Sequence, residues 1–377
     1  MAAAAATVYG NGTLPEEILT DILSRLPVKP LCRFKCVSPS WNSLISDPYF
    51  VKTHLNRTDT LKNPKHPYQN KIIISTCDNL YSVRKSEKKN LYSVDLTNLN
   101  PTITKLDFPT TARHAAVRSS CDGLLLASNS DHSILFLLNP STGERNKLPT
   151  RPPVLDPVQM IHGSHSGLGY DSSTDDYKVV IFTRYKTEFS PFFSILDVYS
   201  LKTNAWRRIK CLHYCPMGNN GGVFLKGCIH GLCWRVGSIV AFYLSDEVFR
   251  EVPTPASFRQ GKICSYDVAV FGGCLCLVKK GKTEVWMMME YGVRESWTEF
   301  TIHSGFRMAR LLCLLAEDEF LLSTYGERGL NQLVVYNQQK DTARDMVVCD
   351  IPPRFSFEGT YAESLISPHH GRGNGGQ

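Results

Sequence analysis

The chain has 377 residues, 42% apolar and 20% charged, with a formal net charge of +7 and 13 cysteines. That length exceeds one small domain and leaves room for a short module ahead of a large repeat domain. No uninterrupted run approaches the about 18 apolar residues needed to cross a bilayer. Met1–Ala6 lacks the basic and apolar regions of a secretory signal. Thirteen cysteines without an export signal read as reduced, buried thiols of an intracellular protein, in cytoplasm or nucleus. The basic excess is diffuse. Its densest cluster, Lys85, Lys88 and Lys89, is interrupted by Glu87 and carries no reading motif, so no nucleic-acid partner is expected.

Residues 1–12 are expected to be disordered, and the first structural signal follows them. Thr13-Leu14-Pro15-Glu16 has the form of a capping box, with Glu16 and Glu17 placed in the positive first turn of a helix. Ile18, Leu19, Ile22, Leu23 and Leu26 then lie on one broad apolar face, and Pro27 stops the helix. A second helix is predicted from about Pro30 to Val37, presenting Leu31, Phe34 and Val37. Ser38-Pro39 opens a third with an N-cap and a first-turn proline, carrying Trp41, Leu44 and Ile45. Asp47-Pro48 repeats the device for a fourth, with Tyr49, Phe50 and Leu55.

A module of this size, residues 13–55, buries too little surface to stand alone without a metal, a disulfide or a partner. It nevertheless carries more large apolar side chains than its own core can hide. Two readings follow. The surplus packs on the rest of the chain, or it forms a surface for helices of another subunit.

The wording of this segment resembles the F-box of plant F-box proteins. The resemblance rests on Leu14-Pro15-Glu16-Glu17-Ile18-Leu19, Ile22-Leu23-Ser24-Arg25-Leu26-Pro27-Val28-Lys29, Phe34-Lys35-Cys36-Val37-Ser38 and Ser40-Trp41-Asn42-Ser43-Leu44-Ile45. It implies docking on the Skp-type adaptor of a cullin–RING ubiquitin ligase. Carried over position by position, the adaptor contacts are Leu14, Pro15, Ile18, Leu19, Ile22, Leu23, Leu26, Pro27, Leu31, Val37 and Trp41, with Leu44 and Ile45 holding the module together. Pro39 and Asn42 stand where the family usually has basic residues, which removes charge that would face an acidic adaptor.

A polar linker, residues 56–70, precedes short strands rich in Val, Ile, Tyr and Phe between Gly, Asn, Asp and Pro turns. One phrase recurs: an apolar strand, a polar turn, and a following strand with Trp, Phe or Leu. Measured at Asp95, Asn139, Ser200, Leu244, Glu290 and Asn337, the steps are 44, 61, 44, 46 and 47 residues. A four-stranded propeller blade needs about 40–50 residues. Residues 71–368 are therefore predicted to form a β-propeller of about six blades, with seven possible, and the long step is read as a loop insertion at about Thr150 to Gly167. Glycine-flanked strands, Asp122-Gly123-Leu124, Gly227-Cys228-Ile229 and Gly272-Gly273-Cys274, are assigned to the propeller axis. Tyr361–Ile366 is predicted to pair into the first blade and close the ring. Residues 369–377 are expected to be a disordered tail.

These phrases resemble the F-box-associated, kelch-like domain of the same proteins. Asn139-Pro140-Ser141-Thr142-Gly143, Gly167-Leu168-Gly169-Tyr170-Asp171, Ser296-Trp297-Thr298 and Tyr361-Ala362-Glu363-Ser364-Leu365 carry the likeness. The resemblance implies that this domain binds a protein substrate.

Catalytic patterns match poorly. Gly163-Ser164-His165-Ser166-Gly167 has His where a nucleophile elbow needs Ser. Gly371–Gly376 spells G-x-G-x-x-G at the very end, with no helix to follow. Cys211, His213, Cys215, Cys228, His230 and Cys233 offer zinc-like donors, but alternation along strands accounts for them as core thiols. No cofactor, metal or catalytic residue is assigned. The expected function is a non-catalytic receptor subunit that joins a ubiquitin ligase, through adaptor, cullin and RING subunits, to a protein target marked for degradation. A propeller lectin, or a scaffold that promotes no turnover, is the alternative.

Overall fold

The computed structural model describes residues 15–58, 70–77, 89–96, 101–106, 116–129, 133–154, 160–186, 193–211, 222–233, 236–256, 258, 265–279, 284–302, 310–316, 318–325 and 330–369. The expected disordered segment 1–12, all but residue 369 of the expected tail 369–377, most of the linker, the lysine cluster at residues 85 and 88, and the terminal glycine motif lie outside them.

Four short helices open the described chain: α1 (Glu16–Leu23), α2 (Val28–Phe34), α3 (Pro39–Ser46) and α4 (Pro48–Thr58). The capping box is out of register. Helix α1 begins at Glu16 on Pro15, which has no side-chain acceptor, because the proline already supplies an extended entry to the first turn. Helix α2 starts earlier than predicted, at Val28, and takes Pro30 into its first turn, where a missing N–H costs no intrahelical bond. Helix α3 follows the reading closely. Ser38 Oγ accepts from Trp41 N at 3.2 Å, and Pro39 stands in the first turn. In α4, Asp47 Oδ1 accepts from Tyr49 N at 2.8 Å and Phe50 N at 3.1 Å. That helix runs past residue 55 to Thr58, and Arg57 near its end pairs with Asp21 of α1 at 2.6 Å.

Among the described residues the strands form six four-stranded antiparallel sheets, the blades of a propeller. The first holds β24 (Ser356–Ala362), β1 (Asn70–Cys77), β2 (Lys89–Asp95) and β3 (Thr102–Leu106), in that order. The second holds β4 (Ala116–Cys121), β5 (Leu124–Ser128), β6 (Leu135–Asn139) and β7 (Glu144–Lys147). The third holds β8 (Met160–Asp171), β9 (Asp176–Lys186), β10 (Phe193–Ser200) and β11 (Ala205–Cys211). The fourth holds β12 (Val223–Leu225), β13 (Cys228–Cys233), β14 (Ser238–Tyr243) and β15 (Phe249–Val252). The fifth holds β16 (Tyr266–Phe271), β17 (Cys274–Lys279), β18 (Glu284–Met288) and β19 (Trp297–Thr301). The sixth holds β20 (Arg310–Ala316), β21 (Glu319–Tyr325), β22 (Asn331–Asn337) and β23 (Thr342–Met346).

Every recurring phrase proves to be the third strand of a blade: β2, β6, β10, β14, β18 and β22. Two kinds of aromatic side chain recur in the phrase with a defined role. Tyr199 and Tyr336, on third strands, donate to Asn204 and Asp341 at 2.8 Å, and both acceptors hold a left-handed backbone in the next turn. Trp206 and Trp297, opening fourth strands, donate to Pro149 O and Pro253 O after the outer strand of the preceding blade, at 2.7 and 2.9 Å. The aromatic residues thus staple turns and neighbouring blades, beyond filling the core.

Three expectations need correction. The glycine-flanked strands β5, β13 and β17 are second strands, not axial ones. Their glycines serve two-residue hairpin turns, Asp122-Gly123, Lys226-Gly227 and Gly272-Gly273, in which both φ angles are positive. The axis is bordered by first strands, with β24 touching β4, β4 touching β8, β8 touching β12, and β12 touching β16. The long third repeat is not a loop insertion over Thr150–Gly167, since Met160–Gly167 belongs to β8, which pairs with an equally extended β9. Finally, ring closure uses β24 against β1, antiparallel from Asn70–Ala362 to Ser75–Ser356. Only Tyr361 and Ala362 of the predicted closing segment are in that strand. Glu363 onward runs across the second blade instead, held by Asn139 and Asn146.

Candidate functional site

Helices α1 to α4 fold around Leu23, Val28, Leu31, Ile45 and Phe50, all buried, with Leu19, Leu26, Phe34, Trp41 and Leu44 packed on the rim. Trp41 meets Phe34 edge-on at 5.3 Å. His54 Nε2 donates to Leu26 O at 2.9 Å, which ties α4 to the turn after α1. Arg57 clamps the same corner: Nη1 donates to Asp21 O at 2.9 Å and to Ser24 Oγ. The Arg57 guanidinium, with Arg25 adding to it, holds the exposed Asp21 carboxyl below its ordinary range.

This core divides the residues carried over as contacts. Ile18 and Ile22, four apart on one face of α1, are 48% and 46% exposed, and Val37 is 63% exposed. Pro15 and Pro27 are also exposed, while Leu19, Leu26 and Trp41 are half-buried behind them. Leu23 and Leu31 point inward instead, because a module this small needs them for its own core. Leu14 lies outside the described residues. Of the two residues expected to hold the module together, Ile45 is fully buried and Leu44 half-buried.

Tyr49, 73% exposed, joins the uncovered apolar side chains, whereas its neighbour Phe50 is fully buried. The helical phase could have separated them. Phe50, Val51 and His54 share the inward side of α4, and Tyr49 precedes Phe50 by about 100° of rotation. Pro39 sits exposed in the first turn of α3, and Asn42 Oδ1 accepts from Ser46 Oγ at 3.4 Å, so neither supplies a cation.

The surplus apolar surface of the module is divided between side chains that pack on the propeller and side chains left uncovered. Val51 and Leu55 of α4 pack against the cluster between the second and third blades, which includes Leu135, Leu168 and Tyr199. Lys52 Nζ meets Asp175 Oδ2 at 2.7 Å in the turn between β8 and β9. The helices therefore sit on the propeller face made by the first-to-second and third-to-fourth strand turns, and Ile18, Ile22, Val37 and Tyr49 remain uncovered.

The remaining candidates are absorbed by strands. Gly163–Gly167 lies within β8, where burial, and secondarily the nearby Arg118, keep His165 below the ordinary histidine range. Cys228, His230 and Cys233 are buried in β13. Burial raises the Cys228 thiol to about 11, the wrong direction for a thiolate ligand or nucleophile. His213 and Cys215, and the side chain of Cys211, lie outside the described residues. At the end of β18, Met288 is core and Met289 is exposed. No helix among the described residues is long and apolar enough to cross a membrane.

Comparison with known proteins matches this two-part architecture. The pattern of the F-box domain covers residues 13–53, and that of the F-box associated beta propeller domain covers residues 71–365. F-box protein CPR1 of Arabidopsis thaliana is 32% identical, over 92% of this chain and 87% of that protein. F-box/kelch-repeat protein At3g23880, also of Arabidopsis thaliana, is 28% identical over 78% of this chain and 80% of its own. Among solved structures, TolB from Acinetobacter baumannii aligns with a TM-score of 0.48 at 9% identity, over 83% of this chain and 70% of that one.

Proposed function

The chain belongs to the plant F-box proteins that carry an F-box associated β-propeller domain, and from that premise we propose that it recruits a target protein to an SCF-type ubiquitin ligase for ubiquitination and degradation. Helices α1 to α3 dock on a Skp-type adaptor, which links to the cullin and RING subunits, and the propeller holds the target. The chain performs no bond chemistry of its own. It raises the effective concentration of the target's lysines near the conjugating enzyme.

One observation carries the adaptor half. Ile18 and Ile22 stay half-exposed on a helix whose other apolar residues complete a closed core. Isoleucine pairs at that spacing gain nothing from water, and each, already half-covered, gains about 0.7–1.5 kcal/mol when a partner buries the rest of it. Pro15, Pro27 and Val37 extend the surface, with Leu19, Leu26 and Trp41 supporting it from behind. Leu23 and Leu31 act through the core.

For the target half, strand direction supplies the argument. The helices occupy the face with the short turns, such as the two-residue Asp122-Gly123 and Lys226-Gly227. By strand direction the opposite face holds the ends of β1, β7, β11 and β15 and the starts of β2, β8, β12 and β16, where the longer connections leave and return. Long connections displayed on a rigid scaffold are where recognition concentrates. The target accordingly binds opposite the helices, facing away from the adaptor.

The test is calorimetric titration of the full chain with a purified Skp-type adaptor. Ile18→Asp with Ile22→Asp should weaken binding at least tenfold, since two lost half-burials amount to about 1.5–3 kcal/mol. The urea midpoint should stay at the wild-type value, because neither side chain belongs to the core. Unchanged adaptor affinity in the double variant would refute the assignment.

A further inference from the structure

The buried core of the four helices is not made by the helices alone. Leu365, 4% exposed, belongs to it beside Leu23, Val28, Leu31, Ile45 and Phe50. Its neighbour Ile366 is buried on the other side, in the cluster between the second and third blades with Leu135, Leu137 and Tyr199. Val51 of α4 touches both clusters. Successive residues, Leu365 and Ile366, thus face two hydrophobic cores, as successive residues of an extended chain do.

The segment is fixed by the propeller. Asn139 Nδ2, at the end of β6, donates to Ser364 O at 2.9 Å and to Ile366 O at 2.7 Å. Ser364 Oγ donates to Asp122 O at 2.6 Å, Asn146 Nδ2 to Pro368 O at 2.9 Å, and Ser367 Oγ to Glu144 Oε2 at 2.6 Å. Glu363 pairs with Lys71 of β1 at 2.5 Å. Gly123 is required beneath it, since a Cβ there would stand 2.3 Å from Ser364 Oγ. The segment leaves directly from β24, the strand that closes the ring. Its position exists only once β24 has paired with β1.

We infer that Leu365 is a positioning residue for adaptor docking, and that the helices reach their docking form only in a chain whose propeller has closed. A module too small for an independent core borrows its missing side chain from the far end of the chain. A partly folded propeller would then leave α1 loose, with Ile18 and Ile22 misplaced, and the ligase would not engage an empty receptor. This rests on the reading that α1 docks on a Skp-type adaptor.

The experiment uses the full chain, wild type and Leu365→Asp, with two readouts: affinity for a purified Skp-type adaptor, and amide hydrogen exchange resolved by segment. Leu365→Asp should accelerate exchange in residues 16–34 at least tenfold and weaken adaptor binding at least tenfold. Strands β9, β14 and β22 should keep wild-type protection, and Leu365→Met should restore both readouts. Should Leu365→Asp fail to fold, Asn139→Ala, which frees the segment without placing charge in the core, should give the same pattern at smaller amplitude. Wild-type exchange in α1 and α2 of the variants would overturn the inference whatever the adaptor does. Faster exchange with unchanged adaptor affinity would overturn the positioning role. Absence of adaptor binding by the wild-type chain would instead refute the functional reading, while the exchange data still decide the coupling.

Discussion

Three histidines, His54 and His230 buried and His165 half-buried, are held below the ordinary histidine range, and desolvation is the main cause at each. His230 is the extreme case. Buried in β13, it shares a 2.6 Å hydrogen bond with the Tyr291 hydroxyl, and its pKa is lowered from 6.5 to about 4. A lowered imidazole pKa means that the unfolded chain takes up a proton before the folded one does. Stability is therefore full above about pH 6.5 and declines as pH falls toward about 4, by on the order of 3 kcal/mol for this residue alone. Urea unfolding at pH 7.0 and 4.5 checks this. Wild type should lose stability between the two, and His230→Gln, weaker at pH 7.0, should lose distinctly less. Parallel losses in the two proteins would assign the acid sensitivity elsewhere.

At the scale of elements, what was legible depends on whether the determining contact is local. The third strands could be read because Tyr199 and Tyr336 bond to residues five positions on, and each brings its turn with it. Helix α3 could be read because Ser38 and Pro39 act within one turn. The axial strands could not, because position in a propeller is set by neighbouring blades, and in the second blade the most apolar strands, β5 and β6, are interior ones buried along their whole length. The glycines were visible, but their work is in turns. Two of them separate backbone conformation from packing. Gly143 has φ +76° with nothing near a would-be Cβ, whereas Gly123 has φ +83° with Ser364 and the Ala362 carbonyl in the way. Gly143→Ala should cost about 1 kcal/mol, for the left-handed backbone alone. Gly123→Ala should cost about 2–4 kcal/mol, adding the displacement of the segment above it. Equal unfolding midpoints for the two variants would show that the segment yields freely.

For the whole molecule, the decisive contacts join residues that no local pattern connects. Leu365 completing a core whose other buried members lie between residues 23 and 50 could not be anticipated, and the adaptor-facing helices could be read only as carrying a surplus. The same long range governs the ring. Strand β24 pairs with β1 across almost the full sequence, and Ile72, Ile73 and Ile74 of β1 are fully buried. Pairing at such separation forms late, because loop-closure entropy is lost before any contact rewards it. Until then β1 has an open, strongly apolar edge. Deleting residues 356–377 should therefore do more than shorten the chain. It removes one strand from the first blade, exposes that edge, and takes Leu365 and Ile366 from the two cores they join. The truncated chain should elute as oligomers in size-exclusion chromatography and lose its single urea transition, whereas deleting only residues 370–377 should change neither. A monomeric truncated chain with the wild-type urea midpoint would mean that the other five blades hold the ring without the closing strand.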